Sequence, residues 1–176
     1  MIIVRAGEQR DAVEWAELYH GFRVFHHLPR DERIVDRVWE WVMDCSHPSR
    51  LIVAELDGQI VGFAQFRLSP RTILGDLLMN LDDLYTSPIV RGRGVASALF
   101  SELERVAREN GAGEIQWVTN PWNEVARSYY RRISEETDWV TYRQVLVTDP
   151  VEGQAGVGEA ASNQGLGGPE TKRRLG

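Results

Sequence analysis

Cysteine and lysine are almost absent from this chain: its 176 residues hold one of each, Cys45 and Lys172. A lone thiol excludes an internal disulfide framework and any multi-cysteine zinc site, so no metal is expected. Lysine is also missing wherever a Walker-type phosphate loop would need it beside its glycines. No segment approaches the ~18 consecutive apolar residues of a membrane span. The opening MIIVRAGEQRDAVEW has too short an apolar run for a signal peptide and reaches charge too soon. These absences lead us to expect a cytoplasmic protein without membrane association. Positive charge is scarce as well, 20 Lys and Arg against 26 Asp and Glu, for a net −6. That balance argues against nucleic acid held by phosphate neutralisation and suits a cationic small molecule.

With 43% hydrophobic residues, the chain can build a core. The final 28 residues are different, carrying seven of the sixteen glycines and only Val151, Val157, Leu166 and Leu175 as large aliphatics. Such a segment buries too little surface to offset its ordering entropy. We therefore expect a domain over residues 1–148 and a flexible Gly-rich tail over 149–176. Removing that tail leaves 17 basic against 22 acidic residues, so the acidic excess belongs to the domain.

Patterning within the domain predicts a strand at Ile2–Arg5 and helices at Glu8–His20 and Asp31–Asp44. Apolar, β-rich runs at Leu51–Leu56 and Ile60–Leu68 flank Asp57-Gly58, a strong hairpin signal. A strand is predicted at Leu81–Thr86, then an amphipathic helix at Gly94–Asn110 with Val95, Leu99, Leu103 and Val106 on one face. Glu114–Thr119 reads as a strand, Asn123–Arg132 as a short helix, and Trp139–Val147 as a last strand. The order predicts a single α/β domain: a mixed, mostly antiparallel twisted sheet with helices on both faces.

The strongest chemical signal is Arg91-Gly92-Arg93-Gly94-Val95-Ala96, which follows a strand and opens a helix. The first amides of a helix have no partner within it, and the helix dipole makes them attractive to anions. Gly92 and Gly94 let backbone approach a phosphate, and Arg91 and Arg93 add charge, so a pyrophosphate would suit this turn. A Rossmann fingerprint would need Gly or Ala where Ser97 stands. A plain helix start, with glycines only for turning, stays open as the alternative.

This R-G-R-G-V-A stretch resembles the R/Q-x-x-G-x-G/A loop of the GNAT N-acetyltransferases, and Asn123-Glu-Val-Ala126-Arg-Ser-Tyr129-Tyr130 resembles their N-x-x-A-x-x-F/Y-Y element. L-D-D-L-Y, W-N-E and Y-Y-R-R are similar to the diamine/polyamine branch. The resemblance implies acetyl-CoA as co-substrate. Its pantetheine arm would lie on Leu84, Tyr85 and Thr86, its pyrophosphate on Arg91, Gly92, Arg93, Gly94, Val95 and Ala96, and Asn123 would touch the arm while capping its helix. Tyr130 would be the general acid for the departing thiolate, and Asp82 the carboxylate that binds the amine. Asp82 and Asp83 should point to opposite faces by strand alternation, so only one of them faces the cleft.

In the fold that the resemblance implies, the first two helices usually form part of the acceptor pocket, which makes Trp15, Tyr19, Phe22 and Phe25 specificity candidates. His26-His27, without a matching ligand cluster, reads as surface or loop packing. Two departures from the family pattern stand out: Ile133-Ser134 replaces a glycine-aromatic pair, and Tyr129 stands where Phe is commoner. The expected activity is direct acetyl transfer in a ternary complex to a small cationic amine. The alternatives are a protein N-terminal or lysine acetyltransferase and a non-catalytic acyl-CoA-binding module. A homodimer is compatible with the fold the resemblance implies.

Overall fold

The computed structural model describes residues 1–146. The expected tail, residues 149–176, and the boundary at 148 lie outside them. In chain order the elements are β1 (Ile2–Ala6), a 3-10 turn (Gln9–Asp11), α1 (Ala12–Phe25), α2 (Glu32–Met43), β2 (Arg50–Leu56), β3 (Gln59–Arg71) and β4 (Asp76–Thr86). A second 3-10 turn (Pro88–Val90), α3 (Val95–Glu109), β5 (Ala112–Gln116) and α4 (Glu124–Ile133) follow. The chain divides into two units, Met1–Arg132 and Ile133–Gly176.

The first unit is built on one sheet in the order β1-β2-β3-β4-β5. Its first three pairings are antiparallel and β4–β5 is parallel, the mixed sheet the element order predicts. The Asp57-Gly58 turn joins β2 to β3 with both residues at positive φ (54° and 82°), the geometry a two-residue hairpin favours. One face of the sheet packs on α3 through Ala54, Ala64, Phe66, Met79 and Leu81 against Leu99, Phe100 and Leu103. The other face packs on α1 and α2 and is more aromatic, with Trp15, Tyr19, Phe63 and Tyr85 beside Val35, Val38 and Val42. Helices thus cover both faces. Burying each Leu, Val or Phe side chain contributes about 1.5–3 kcal/mol, so both layers hold the sheet.

Several elements differ from expectation. α1 runs on to Phe25, five residues beyond the predicted stop at His20. Two polar residues of its C-terminal half are buried and bonded: His20 to Glu32 at 3.0 Å, and Arg23 to the carbonyl of Pro29 at 2.9 and 3.1 Å. Gly21, in mid-helix, does not break it. A Cβ there would stand 2.7 Å from the Tyr85 hydroxyl, so glycine is what lets α1 lie against β4.

β4 begins at Asp76 rather than Leu81, because Arg71 and Asp76 close the base of the β3–β4 hairpin at 2.6 and 2.8 Å. The predicted last strand is absent: residues 139–146 form none, with Trp139 80% and Tyr142 91% exposed, and Val147 lies outside the described residues. A strand exists only through a pairing partner, and alternating residues alone do not supply one.

Candidate active site

The Gly-Arg turn connects β4 to α3 as expected. Gly92 and Gly94 have φ of 77° and 88°, and nothing lies within 4 Å of the position a Cβ would take on either. Gly94 caps α3 without a side chain, and the first intrahelical bond runs from the Ala98 N–H to the Gly94 carbonyl at 3.0 Å. The amides of Val95, Ala96 and Ser97 therefore stand ahead of the helical ladder, facing the open turn. Val95 itself is core, so only its backbone can serve a ligand. Arg91 and Arg93 are exposed.

The second feature is the end of β4. Its ladder to β5 covers Leu77–Asn80 and stops at the Asn80–Gln116 pair, while β4 continues to Thr86. Leu84, Tyr85 and Thr86 stay paired to β3 through Ala64, Phe63 and Gly62. Their other edge carries no strand among the described residues.

A bulge lies just upstream, where Phe66 pairs with Leu81 and Gln65 with Asp83, leaving Asp82 as the extra residue. Alternation therefore fails for this carboxylate pair. Asp82 is engaged in an ion pair with Arg67 at 3.1 Å. Asp83 shares the α1–α2 face with Tyr85 and has its carboxyl pushed up to about 6, chiefly by burial and then by the neighbouring Asp82 charge. The Tyr19 hydroxyl on α1 is pushed up to about 12 by its own burial and by the charge of Asp83. Gln65, in register with Asp83, is buried, and its amide nitrogen has no partner.

On the opposite face, Tyr130 packs edge-on against Phe100 and Trp117, with centroids 6.0 and 5.3 Å away. Burial, then Tyr129, raises its phenol above the ordinary value. Tyr129 places its hydroxyl 3.2 Å from Ser97 Oγ, in the first turn of α3. Asn123 Oδ1 accepts from the Ala126 N–H at 3.4 Å, the capping contact expected of it.

A third group closes the end of α1. Phe25, His26 and His27 surround the Trp122 ring at 5.3, 6.0 and 5.5 Å. The Arg91 guanidinium lies 5.7 Å from the Phe25 ring and 5.9 Å from that of Tyr85. The histidines thus pack a loop, as read from the sequence.

Residues 13–134 match the model of the acetyltransferase (GNAT) family. The chain belongs to the GNAT family. It is an acetyl-CoA-dependent N-acetyltransferase. The uncharacterised N-acetyltransferase YhfO of Bacillus subtilis is 27% identical over 141 residues, 79% of this chain and 94% of its own length. The thialysine N-epsilon-acetyltransferase of Caenorhabditis elegans is 27% identical over 96 residues, covering 52% of this chain and 59% of the relative. Among solved structures, that of the aminoglycoside N-acetyltransferase AAC(6')-Iy with a CoA-based bisubstrate analogue superposes with a TM-score of 0.70 at 21% identity, covering 83% of this chain and 99% of the other.

Within this GNAT enzyme, two of the polar groups brought to the end of β4 were not singled out from the sequence. Asp83 is not distinguished from Asp82 in the sequence, because a bulge has no local signature. Gln65 sits in an otherwise apolar run, IVGFAQF, and a polar residue inside such a run was the available signal. A separate polar groove beside the β2–β3 hairpin is lined by Arg5, Asp11, Glu14 and Glu55. Its charges are matched internally, Arg5 to Asp11 at 2.7 Å and to Glu55 at 3.3 Å.

Proposed function

We propose that the enzyme acetylates a small primary amine that arrives as a cation on the α1–α2 face of β4, with Asp83 receiving its proton. The observation carrying this reading is Asp83 itself, a carboxylate withdrawn from water two residues before Tyr85, where β4 has left β5. Acetyl-CoA supplies the activated thioester acyl group. The residues present fit it: the open amides of Val95 and Ala96 with Gly92 and Gly94 suit a pyrophosphate, Arg91 and Arg93 add charge, and Leu84–Thr86 offer an unladdered strand edge to an amide-bearing arm. Asn123 lies at the start of α4 for a further contact with that arm.

The chain's own groups divide the proton work. A primary alkylamine with pKa near 10 arrives protonated, and only its neutral form is a nucleophile. A carboxyl titrating near 6 is ionised at neutral pH and is a stronger base than an ordinary aspartate. Asp83 thus binds the ammonium and accepts its proton directly or through water. Tyr130 keeps its phenol proton through neutral pH because burial raises it, and holds that proton for the leaving sulfur. A backbone N–H of Leu84–Thr86 polarises the thioester carbonyl.

Asp82, which the resemblance implied for amine binding, is held by Arg67 and acts on the amine through its charge on Asp83. The relatives named for thialysine and aminoglycosides acetylate amines that are cationic, which supports the same reading here. The test is thiol release from acetyl-CoA in a panel of small amines and peptides. Release with cationic small amines is expected; release with peptides alone would overturn the proposal.

A further inference from the structure

We infer that the preferred acceptor carries an oxygen beside its amine, as in a 2-amino alcohol, an amino sugar or an amino acid, and that Gln65 recognises that oxygen. This rests on the proposed placement of the acceptor amine against Asp83. Gln65 and Asp83 are directly opposite in the β3–β4 ladder, and the Phe63–Tyr85 pair is next along the same face. The Gln65 side chain is 5% exposed, yet its amide nitrogen has no hydrogen-bond partner. Trp15, fully buried on α1 with its ring 6.2 Å from that of Phe63, likewise has an indole N–H without a partner.

Both orphans are donors, and an indole N–H can do nothing else. An ammonium is also only a donor. It satisfies Asp83 and can donate to the Gln65 carbonyl, but it leaves the Gln65 amide N–H without an acceptor, at the desolvation cost of a buried donor without a bond. A hydroxyl, carbonyl or carboxylate oxygen one or two bonds from the amine supplies the missing acceptor. Asp83 and Gln65 then read one ligand together, the first by charge and the second by the atom beside it. Sites that hydrogen-bond a substrate oxygen discriminate strongly against analogues without it, because binding the analogue leaves the protein's own donor unpaired.

The experiment compares 2-aminoethanol with propylamine, two cations of equal heavy-atom count, as acceptors for the full chain with acetyl-CoA. Wild type should favour 2-aminoethanol in kcat/KM by about 10-fold or more. Gln65→Met keeps the volume and removes the donor, and should bring the ratio to within about 2-fold by lowering only the 2-aminoethanol value. A thermal melt of Gln65→Met no lower than wild type shows that the fold is kept. Equal turnover of the two amines by wild type overturns this inference and leaves the acetyltransferase reading standing. An equal loss on both amines in Gln65→Met overturns it too. No turnover of either amine removes the acceptor placement, and this inference with it.

Discussion

The two faces of the central sheet are built from different materials. Against α3 the core is largely aliphatic, and no buried side-chain polar atom there lacks a partner among the described residues. Against α1 and α2 it is aromatic, and it holds all three such orphaned atoms, on Trp15, His20 and Gln65, together with the raised carboxyl of Asp83. Natural cores pair nearly all their buried polar groups, so these orphans mark the face that has hydrogen-bonding capacity left for a water or a ligand. On the α3 side the polar features lie at the rim: the glycine turn, the exposed amides of the helix start, and the phenol of Tyr130. In the proposed reading, one face takes a large anion and a leaving group, and the other a cation. β4 separates them and carries backbone to both.

The contrast can be broken at several points. The largest effect belongs to Gly94→Glu, which puts a side chain on a left-handed backbone and a negative charge among anion-seeking amides. Calorimetry should find no measurable acetyl-CoA binding, while far-ultraviolet dichroism stays that of the folded chain; normal affinity would remove the turn from the site. Next is Tyr130→Phe, which deletes a proton donor without deleting a packing face. It should lower kcat about 10- to 1,000-fold with acetyl-CoA affinity nearly intact. Unchanged turnover would leave Tyr130 as core only.

The finest comparison sets Asp83→Asn against Asp82→Asn. For cationic acceptors Asp83→Asn should lower kcat/KM about 10- to 100-fold and abolish the rise in activity with pH through about 6, whereas Asp82→Asn should change it only about 2- to 5-fold. Equal losses would return the role to the pair. Stability gives an independent check. The folded carboxyl of Asp83 titrates above its unfolded value of 3.8, so its contribution is complete below that value and is lost as pH rises through about 6. Asp83→Asn should therefore melt higher than wild type at pH 7.5, and the gain should vanish near pH 4.

What could be read in the sequence was what is encoded locally. The Asp57-Gly58 hairpin, the glycine turn at Arg91–Ala96 and the apolar stripe Val95, Leu99 and Leu103 need only their neighbours, and each formed where its pattern stood. The bulge at Asp82 was not legible, since it depends on how β3 and β4 slide past each other; it breaks the alternation expected of Asp82 and Asp83. The helix predicted to end at His20 runs on through Gly21, whose reason for being glycine lies sixty-four positions away at Tyr85. Trp139–Val147 had the right alternation, but through residue 146 it has no ladder to join. Orphaned donors are invisible in a sequence, because a polar residue in an apolar run does not announce whether its partner is protein or ligand.

Gly21 also fixes a distance between two elements. The spacing of α1 from β4 is held by a hydrogen atom, with the Tyr85 hydroxyl 2.7 Å from where the next larger side chain would begin. Any replacement must move either the helix that carries Tyr19 and Phe22 or the ring that shares a face with Asp83. On the proposed placement of the acceptor, its range is then set in part by a residue that never meets it, a mid-helix glycine costly by about 1 kcal/mol against alanine.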